Sequence, residues 1–501
     1  MKFRNSLGAV VAALVATAAC AHASRPSQPA ATPLRPAPPI IALRNAIDTV
    51  LDNPQLAHGS WGVFVKSLNN DERVYERNAD KLMMPASTMK IVTLAAAAEK
   101  LGWDYRFVTT ITAAGPVEGG SLRGDLVVTG SGDPSLVAAD GMADRVFADW
   151  AAQLKQRGIR VISGRIIGDD NGFEEETLGF GWMWDDLPTG DSAGSGALQY
   201  NESAVRVTVS SGPSAGDSAA ISVGVGNSGL AIVNAVTTNA RGATTSIEVR
   251  RLPGSMNLEL RGSIALGAAP STLSVSVDNP TQFFVNALRT ALIANGIDVR
   301  GPAVDIDEAG DVSPARGTPL VSYQSAPLST LAIRLMKVSQ NQYAETLLKA
   351  VGGGPGALPA TTAGWRAAQA IVEGWGVRPG ALIQRDGSGL TRYDFVTPES
   401  LVTILTHVDR DPRLKDPFEA SLPIAGRDGT LTNRMKGTAA EGNARAKTGS
   451  MTAVRGTAGY VTSADGERFV FAILVNSYDS PAAAITAAED AIIVRLAQLQ
   501  R

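Results

Sequence analysis

The sequence predicts a mixed α/β (α+β) protein in which one domain is interrupted by a mostly β insertion. Three observations predict it. A strand hairpin followed by an Ala-rich helix stands near the N-terminus. A second strand hairpin followed by a helix closes the chain. Between about residues 103 and 280 the texture changes to short Val/Ile/Thr runs separated by Gly, Ser, Asp and Pro. At 501 residues the chain exceeds one ordinary core, and its 44% hydrophobic content is enough to fold most of it. Abundant Gly (51) with only 5% aromatics suits a turn-rich chain.

Residues 1–23 read as an export signal. Lys2 and Arg4 form a short basic region, Leu7 to Ala19 is apolar but too short to span a bilayer comfortably, and Ala21-His22-Ala23 offers a cleavage site. Cys20 is the only cysteine, so cleavage after Ala23 leaves a mature chain with no thiol, suited to an oxidising periplasm. A second reading lipidates Cys20, but Thr17-Ala18-Ala19 lacks the aliphatic residue a lipobox needs. The expected location is therefore periplasmic or cell-wall-exposed. Residues 24–40 are rich in Pro and Ala and read as an extended tether.

Residues 41–53 place Ile41, Leu43, Ile47, Val50 and Leu51 at helical spacing. Trp61 to Ser67 and Arg73 to Arg77 flank the Asn69-Asn70-Asp71 turn and form a hairpin. Residues 85–101 read as a helix opened by Pro85 and stopped by Gly102. In the middle, strands are expected at 126–129, 161–167, 204–209, 219–225, 245–250 and 258–264. Helices follow at 280–296, 328–351, 362–375 and 398–409. Strands at 444–448, 455–461 and 468–475, the last two joined by an Asp465-Gly466 turn, precede a core-packed helix over 480–500. The expected organisation is one discontinuous domain, 41–102 with 280–501, around an inserted region, 103–279.

Composition excludes several chemistries. A net charge of −3 with 19% charged residues shows no basic surplus, so no nucleic-acid partner is expected. Of three histidines, His22 leaves with the signal, and His58 and His407 sit in ordinary surface settings, which disfavours a Ser-His-Asp triad. No His/Cys cluster has metal-ligand spacing, and no metal or cofactor is expected. Oligomeric state is left open.

Three short patterns carry the chemistry. Ser87-Thr88-Met89-Lys90 sets a hydroxyl and an amine three apart on a helix start, where they share a face. A Ser hydroxyl needs a base. Lys serves only if burial or neighbouring cations bring its pKa down from about 10.4, at about 1.4 kcal/mol per unit. Ser339-Gln340-Asn341 stands between two helical stretches after Lys337. Its hydroxyl can relay a proton to a leaving amine, and the Asn341 amide can hold Lys90 and a substrate backbone. The other such pattern, Ser67-Leu68-Asn69, lies inside the first hairpin. Lys447-Thr448-Gly449, followed by Ser450, opens a strand. Lys447 supplies positive charge for a carboxylate, Thr448 donates to it, and Gly449 admits close backbone approach. The Ser450 and Ser87 N–H groups can form an oxyanion hole.

These patterns, in this order, resemble the active-site serine penicillin-recognising enzymes. The 252-residue gap from Ser87 to Ser339 resembles the class C low-molecular-mass penicillin-binding proteins, the DacB-like D-Ala-D-Ala carboxypeptidase/endopeptidases. Further similar stretches are PASTMK, GSGDPSL (130–136), GWMWDD (181–186), DGSGLTRYDFVTP (386–398), AGRDGTL (425–431) and AKTGS (446–450). Gln340 departs from the family's usual Asp. The resemblance implies a transpeptidase-type domain, an antiparallel sheet flanked by helices as in serine β-lactamases. It implies attack by Ser87 on a peptidoglycan stem peptide with Lys90 as base, and slow turnover of β-lactams as covalent inhibitors. It also suggests Arg392 for a stem carboxylate and Asp185 for a stem ammonium. Trp182 and Trp184 read as packing residues. The alternatives are a β-lactamase or esterase of the same fold, or a non-catalytic cell-wall-binding protein.

Overall fold

The strand Arg468–Asn476 reads RFVFAILVN, with nine residues almost all apolar. Such a run belongs in a sheet covered on both faces. The computed structural model describes residues 38–173, 176–226, 228–252, 254–310, 312, 319–353 and 359–501. The export signal, Cys20 and nearly all of the tether lie outside them.

In chain order, helix α1 (Pro39–Leu51) precedes the hairpin β1 (Ser60–Ser67) and β2 (Arg73–Arg77), and helix α2 (Met89–Leu101) follows. After the inserted region come α3 (Leu328–Lys337), α4 (Asn341–Gly352) and α5 (Pro398–Arg410). Strands β3 (Arg445–Met451), β4 (Val454–Thr462) and β5 (Arg468–Asn476) then precede α6 (Ala482–Gln498). The five strands form one antiparallel sheet in the order β2-β1-β5-β4-β3. The N- and C-terminal parts of the interrupted domain meet at the β1–β5 pairing, Ser60 opposite Asn476 through Ser67 opposite Phe469.

Alternation along β5 divides the core. Val470, Ala472 and Leu474 pack with α2, α4 and α5. Phe469, Phe471, Ile473 and Val475 pack with Leu43 and Ile47 of α1 and Ile492 and Leu496 of α6. Each of the two buried phenylalanines contributes about 1.5–3 kcal/mol of transfer free energy. Among the described residues no helix is long and apolar enough to cross a membrane.

The region after α2 holds strands throughout, but three expectations need correction. It also holds a helix, Met142–Gln156, whose Val146, Phe147, Trp150, Ala151 and Leu154 are buried at helical spacing. Its boundary is not at 279. Strand Pro319–Gln324 pairs antiparallel with Val108–Ala114, and Phe283, Phe284 and Leu288 of helix Pro280–Ala294 share a core with Trp150. Residues 280–324 thus pack with the insertion. The single helix expected over 328–351 is two helices, broken where Ser339 takes φ +64°.

Candidate active site

Ser87 lies not within a regular helix but in a 3-10 turn, Ala86–Thr88, that feeds into α2. Ala86 takes φ +46°, a left-handed conformation that a residue with a Cβ holds only when its surroundings impose it. Two glycines let the backbone pack closely against it. A Cβ on Gly389 would lie 1.9 Å from the Ala86 carbonyl oxygen, and one on Gly449 would lie 2.5 Å from the Pro85 oxygen and 3.1 Å from the Ser87 nitrogen. The nucleophile turn is clamped between the DGSG loop and strand β3.

Lys90, one turn on, is fully buried. Its Nζ has three oxygen neighbours: Ser87 Oγ at 2.9 Å, Asn341 Oδ1 at 2.6 Å and the Ser388 carbonyl at 2.9 Å. Asn341 Nδ2 donates to the Asp191 carbonyl at 2.8 Å, which turns Oδ1 towards Lys90. Two of the three neighbours can only accept. A neutral amine therefore gives its two N–H groups to them, and its lone pair faces the Ser87 hydroxyl. Burial lowers the Lys90 pKa to about 8, while Asp386, Glu345 and Asp191 keep it from falling further.

Ser339 occupies the break between α3 and α4, and Asn341 begins α4. Gln340 caps that helix, its side-chain oxygen accepting from the Gln342 N–H at 2.9 Å. The longer side chain does the capping work of an Asp. Lys447 on β3 is buried and donates to Ser339 Oγ at 2.8 Å and to the Thr448 carbonyl at 2.7 Å. Burial, and then the charge of Lys90, hold its pKa well below the ordinary value. Thr448 Oγ1 donates to Thr430 Oγ1 at 2.7 Å, and Ser450 follows on the same strand, exposed. Ser87, Lys90, Ser339, Asn341, Lys447, Thr448 and Gly449 are thus linked by close contacts in one cluster.

The rim residues divide. Arg392 donates through Nη2 to the Thr452 carbonyl at 3.1 Å, and its Nε lies 3.3 Å from Met183 Sδ. It bridges the hairpin after β3 and the GWMWDD segment. Asp185 is exposed and lines a groove of about 760 Å³ with Trp184, Val233, Val249 and Leu252. Trp184 is 65% exposed, which corrects its reading as a packing residue. Trp182 is tied down: its Nε1 donates to Asp386 Oδ2 at 2.9 Å. His58 bonds Asp479, and His407 stacks on Trp375.

Sequence reasoning passed over Ser388, which acts through a backbone carbonyl, and the buried carboxylates of Glu345, Asp386 and Asp394. Glu345 stands four residues after Asn341 on one helix face, which was the available signal.

The chain matches the D-Ala-D-Ala carboxypeptidase 3 (S13) family over residues 43–499. It is 34% identical over 470 residues to a D-alanyl-D-alanine carboxypeptidase of an Actinomadura species, covering 91% of this chain and 84% of that one. It is 27% identical over 423 residues to the carboxypeptidase DacB of Haemophilus influenzae, covering 84% and 86%. Among solved structures, penicillin-binding protein 4 of Haemophilus influenzae aligns with a TM-score of 0.76 at 25% identity, over 91% of this chain and 99% of that one. A second structure of it, complexed with a β-lactam, gives 0.72.

Proposed function

The chain belongs to the D-Ala-D-Ala carboxypeptidase 3 (S13) family, and from that premise we propose how its residues perform a serine-type carboxypeptidase reaction on peptidoglycan stem peptides. The Ser87 oxygen attacks the carbonyl carbon of the D-Ala-D-Ala bond, and Lys90 takes its proton. The developing oxyanion is held by the Ser87 and Ser450 N–H groups. The carbon–nitrogen bond breaks as the amine receives a proton through Ser339, and the terminal D-Ala departs. Water then hydrolyses the ester on Ser87 and restores the site.

The terminal carboxylate binds Lys447 and Thr448. Burial, and then the neighbouring Lys90 charge, disfavour charge on Lys447. An arriving carboxylate reverses that, because an opposite charge within about 4–6 Å favours the ammonium. The substrate thus brings the counter-charge that its own binding site lacks. Arg392, held at the rim by Thr452, is the candidate for a second carboxylate on the stem, and Asp185 for its ammonium. The same site accepts β-lactams as slow acylating inhibitors, as expected of a relative of a protein solved with one. Release of a cross-linked peptide instead of D-Ala is the endopeptidase form of the same chemistry. The working location is the periplasm or cell-wall face.

One observation carries the reading: Lys90 Nζ lies 2.9 Å from Ser87 Oγ with two pure acceptors beside it, so that the amine, once neutral, can spend its N–H groups on them and turn its lone pair to Ser87. The test is to incubate the protein with penicillin and map the adduct by mass spectrometry. Acylation on Ser87, lost in Ser87→Ala, is expected. An adduct on another residue rejects the assignment. Product analysis on a defined muropeptide set then divides carboxypeptidase from endopeptidase turnover.

A further inference from the structure

Helix α4 reaches Lys90 twice. Asn341 touches it directly at 2.6 Å. Four residues later, Glu345 is buried and accepts from two consecutive backbone amides of the DGSG loop, Gly387 N–H at 2.9 Å and Ser388 N–H at 2.8 Å. The carbonyl of that same Ser388 is the third oxygen on Lys90 Nζ, at 2.9 Å. Glu345 thereby fixes the peptide unit ahead of the Ser388 Cα, while the unit that carries the Ser388 carbonyl is held through the Gly389 N–H, which donates to Asp386 Oδ1 at 2.6 Å; with both units held, the carbonyl keeps a fixed direction. The loop has little room to shift, since a Cβ on Gly387 would lie 2.3 Å from the Ala344 carbonyl oxygen.

We infer that Glu345 is a positioning residue that aims the Ser388 carbonyl at Lys90, and that its negative charge sets the pH at which Lys90 becomes a base. This rests on the reading of Lys90 as the proton acceptor. Without the pinned carbonyl, one N–H of the amine has no fixed partner, and the lone pair wanders off the Ser87 hydroxyl. Without the charge, the Lys90 ammonium loses one of the groups that favour it.

The titratable groups facing Glu345 are Lys90 from α2 and Asp386 and Asp394 from the loop. On its own helix, Lys349 points to the Glu176 and Ser195 carbonyls. Burial and Asp386 push Glu345 up to about 7, within about one unit of Lys90 at about 8. The two groups therefore change charge in neighbouring pH ranges.

The test is the pH profile of penicillin acylation for two variants of the full chain. In Glu345→Gln the acid limb is expected to move down by about half a pH unit or more, because the charge is gone. Its plateau is expected to fall about tenfold or more, because one amide oxygen replaces two carboxylate oxygens. Glu345→Asp keeps the charge but withdraws one methylene of reach, so its limb stays and its plateau falls. A purely structural residue moves no limb. An unmoved limb in Glu345→Gln, or a Glu345→Asp plateau equal to that of the unaltered protein, overturns the inference. If Glu345→Gln does not fold, the Glu345→Asp plateau still decides. Lys90→Ala, run alongside, separates the two readings: normal acylation there removes Lys90 as the base, whatever Glu345 does.

Discussion

Lys90 Nζ lies 2.6 Å from Asn341 Oδ1, although the two residues are 251 positions apart in the chain. The contact joins the N-terminal segment that holds Ser87 to a helix reached only after the insertion. Its geometry is set on the far side by the Asp191 carbonyl, itself part of the inserted region, which accepts from Asn341 Nδ2. The insertion therefore reaches Lys90 through one amide side chain.

Lys90→Ala is expected to fold and to lose acylation by about 10²–10⁴-fold, the usual contribution of a positioned general base. The hole it leaves is lined by groups that can hydrogen-bond water. Circular dichroism reports the fold, and stopped-flow acylation with a chromogenic cephalosporin reports the rate.

The acylation rate of the unaltered protein should rise with pH. Lys90 accepts a proton only when neutral, and its pKa is about 8. Below that value the neutral fraction falls about tenfold per unit, so the limb has a slope near one. A rate flat from pH 5 to 9 would show that another group takes the proton.

Gly449→Ala and Gly389→Ala attack the clamp on the nucleophile turn. At Gly449 the new methyl meets the Pro85 carbonyl oxygen at 2.5 Å. At Gly389 it meets that of Ala86 at 1.9 Å, with φ +79° in addition. Both should lower stability by about 1–3 kcal/mol, Gly389→Ala by more. Both should slow acylation beyond what the stability loss explains. Thermal unfolding and acylation kinetics on the folded fraction check this.

Arg434→Ala is expected to destabilise the protein by about 3–5 kcal/mol, because it strands a buried carboxylate. Arg434 lies 3.2 Å from Glu489, which is 1% exposed, and 2.6 Å from Asp490. Burial pushes Glu489 up to about 7 despite Arg434. A raised carboxyl makes the folded state bind more protons than the unfolded one between about 4.5 and 7. Stability from this group therefore falls as pH rises through that window. Without Arg434 the fall is steeper, so the deficit in denaturant midpoint should be larger at pH 8 than at pH 5.

What the sequence disclosed follows the range of each interaction. Ser87 and Lys90 were legible because three-residue spacing on one helix turn is local. Lys447-Thr448-Gly449 was legible because residues 444–448 read as a strand. Ser388 was not, since a carbonyl is common to every residue and only its aim makes it distinct. The end of the insertion was misplaced because residues 319–324 pair with 108–114, and periodicity within a strand says nothing about its partner. Helix 142–156 carried its signal in Val146, Trp150 and Leu154, but lies among strand-like runs. The break at Ser339 is a single positive φ, and residue type alone does not foretell one in a serine.

The β1–β5 pairing also governs when the surroundings of Ser87 are completed. A nascent chain produces Ser87 early, yet β3, with Lys447, and the central strand that seats β1 emerge late. The N-terminal hairpin must wait, unpaired on one side, until residues 468–476 arrive. Such long-range closure is slow. A half-made polypeptide thus holds Ser87 without the strands that complete its surroundings, and these come together only once residues 60–67 and 468–476 have paired.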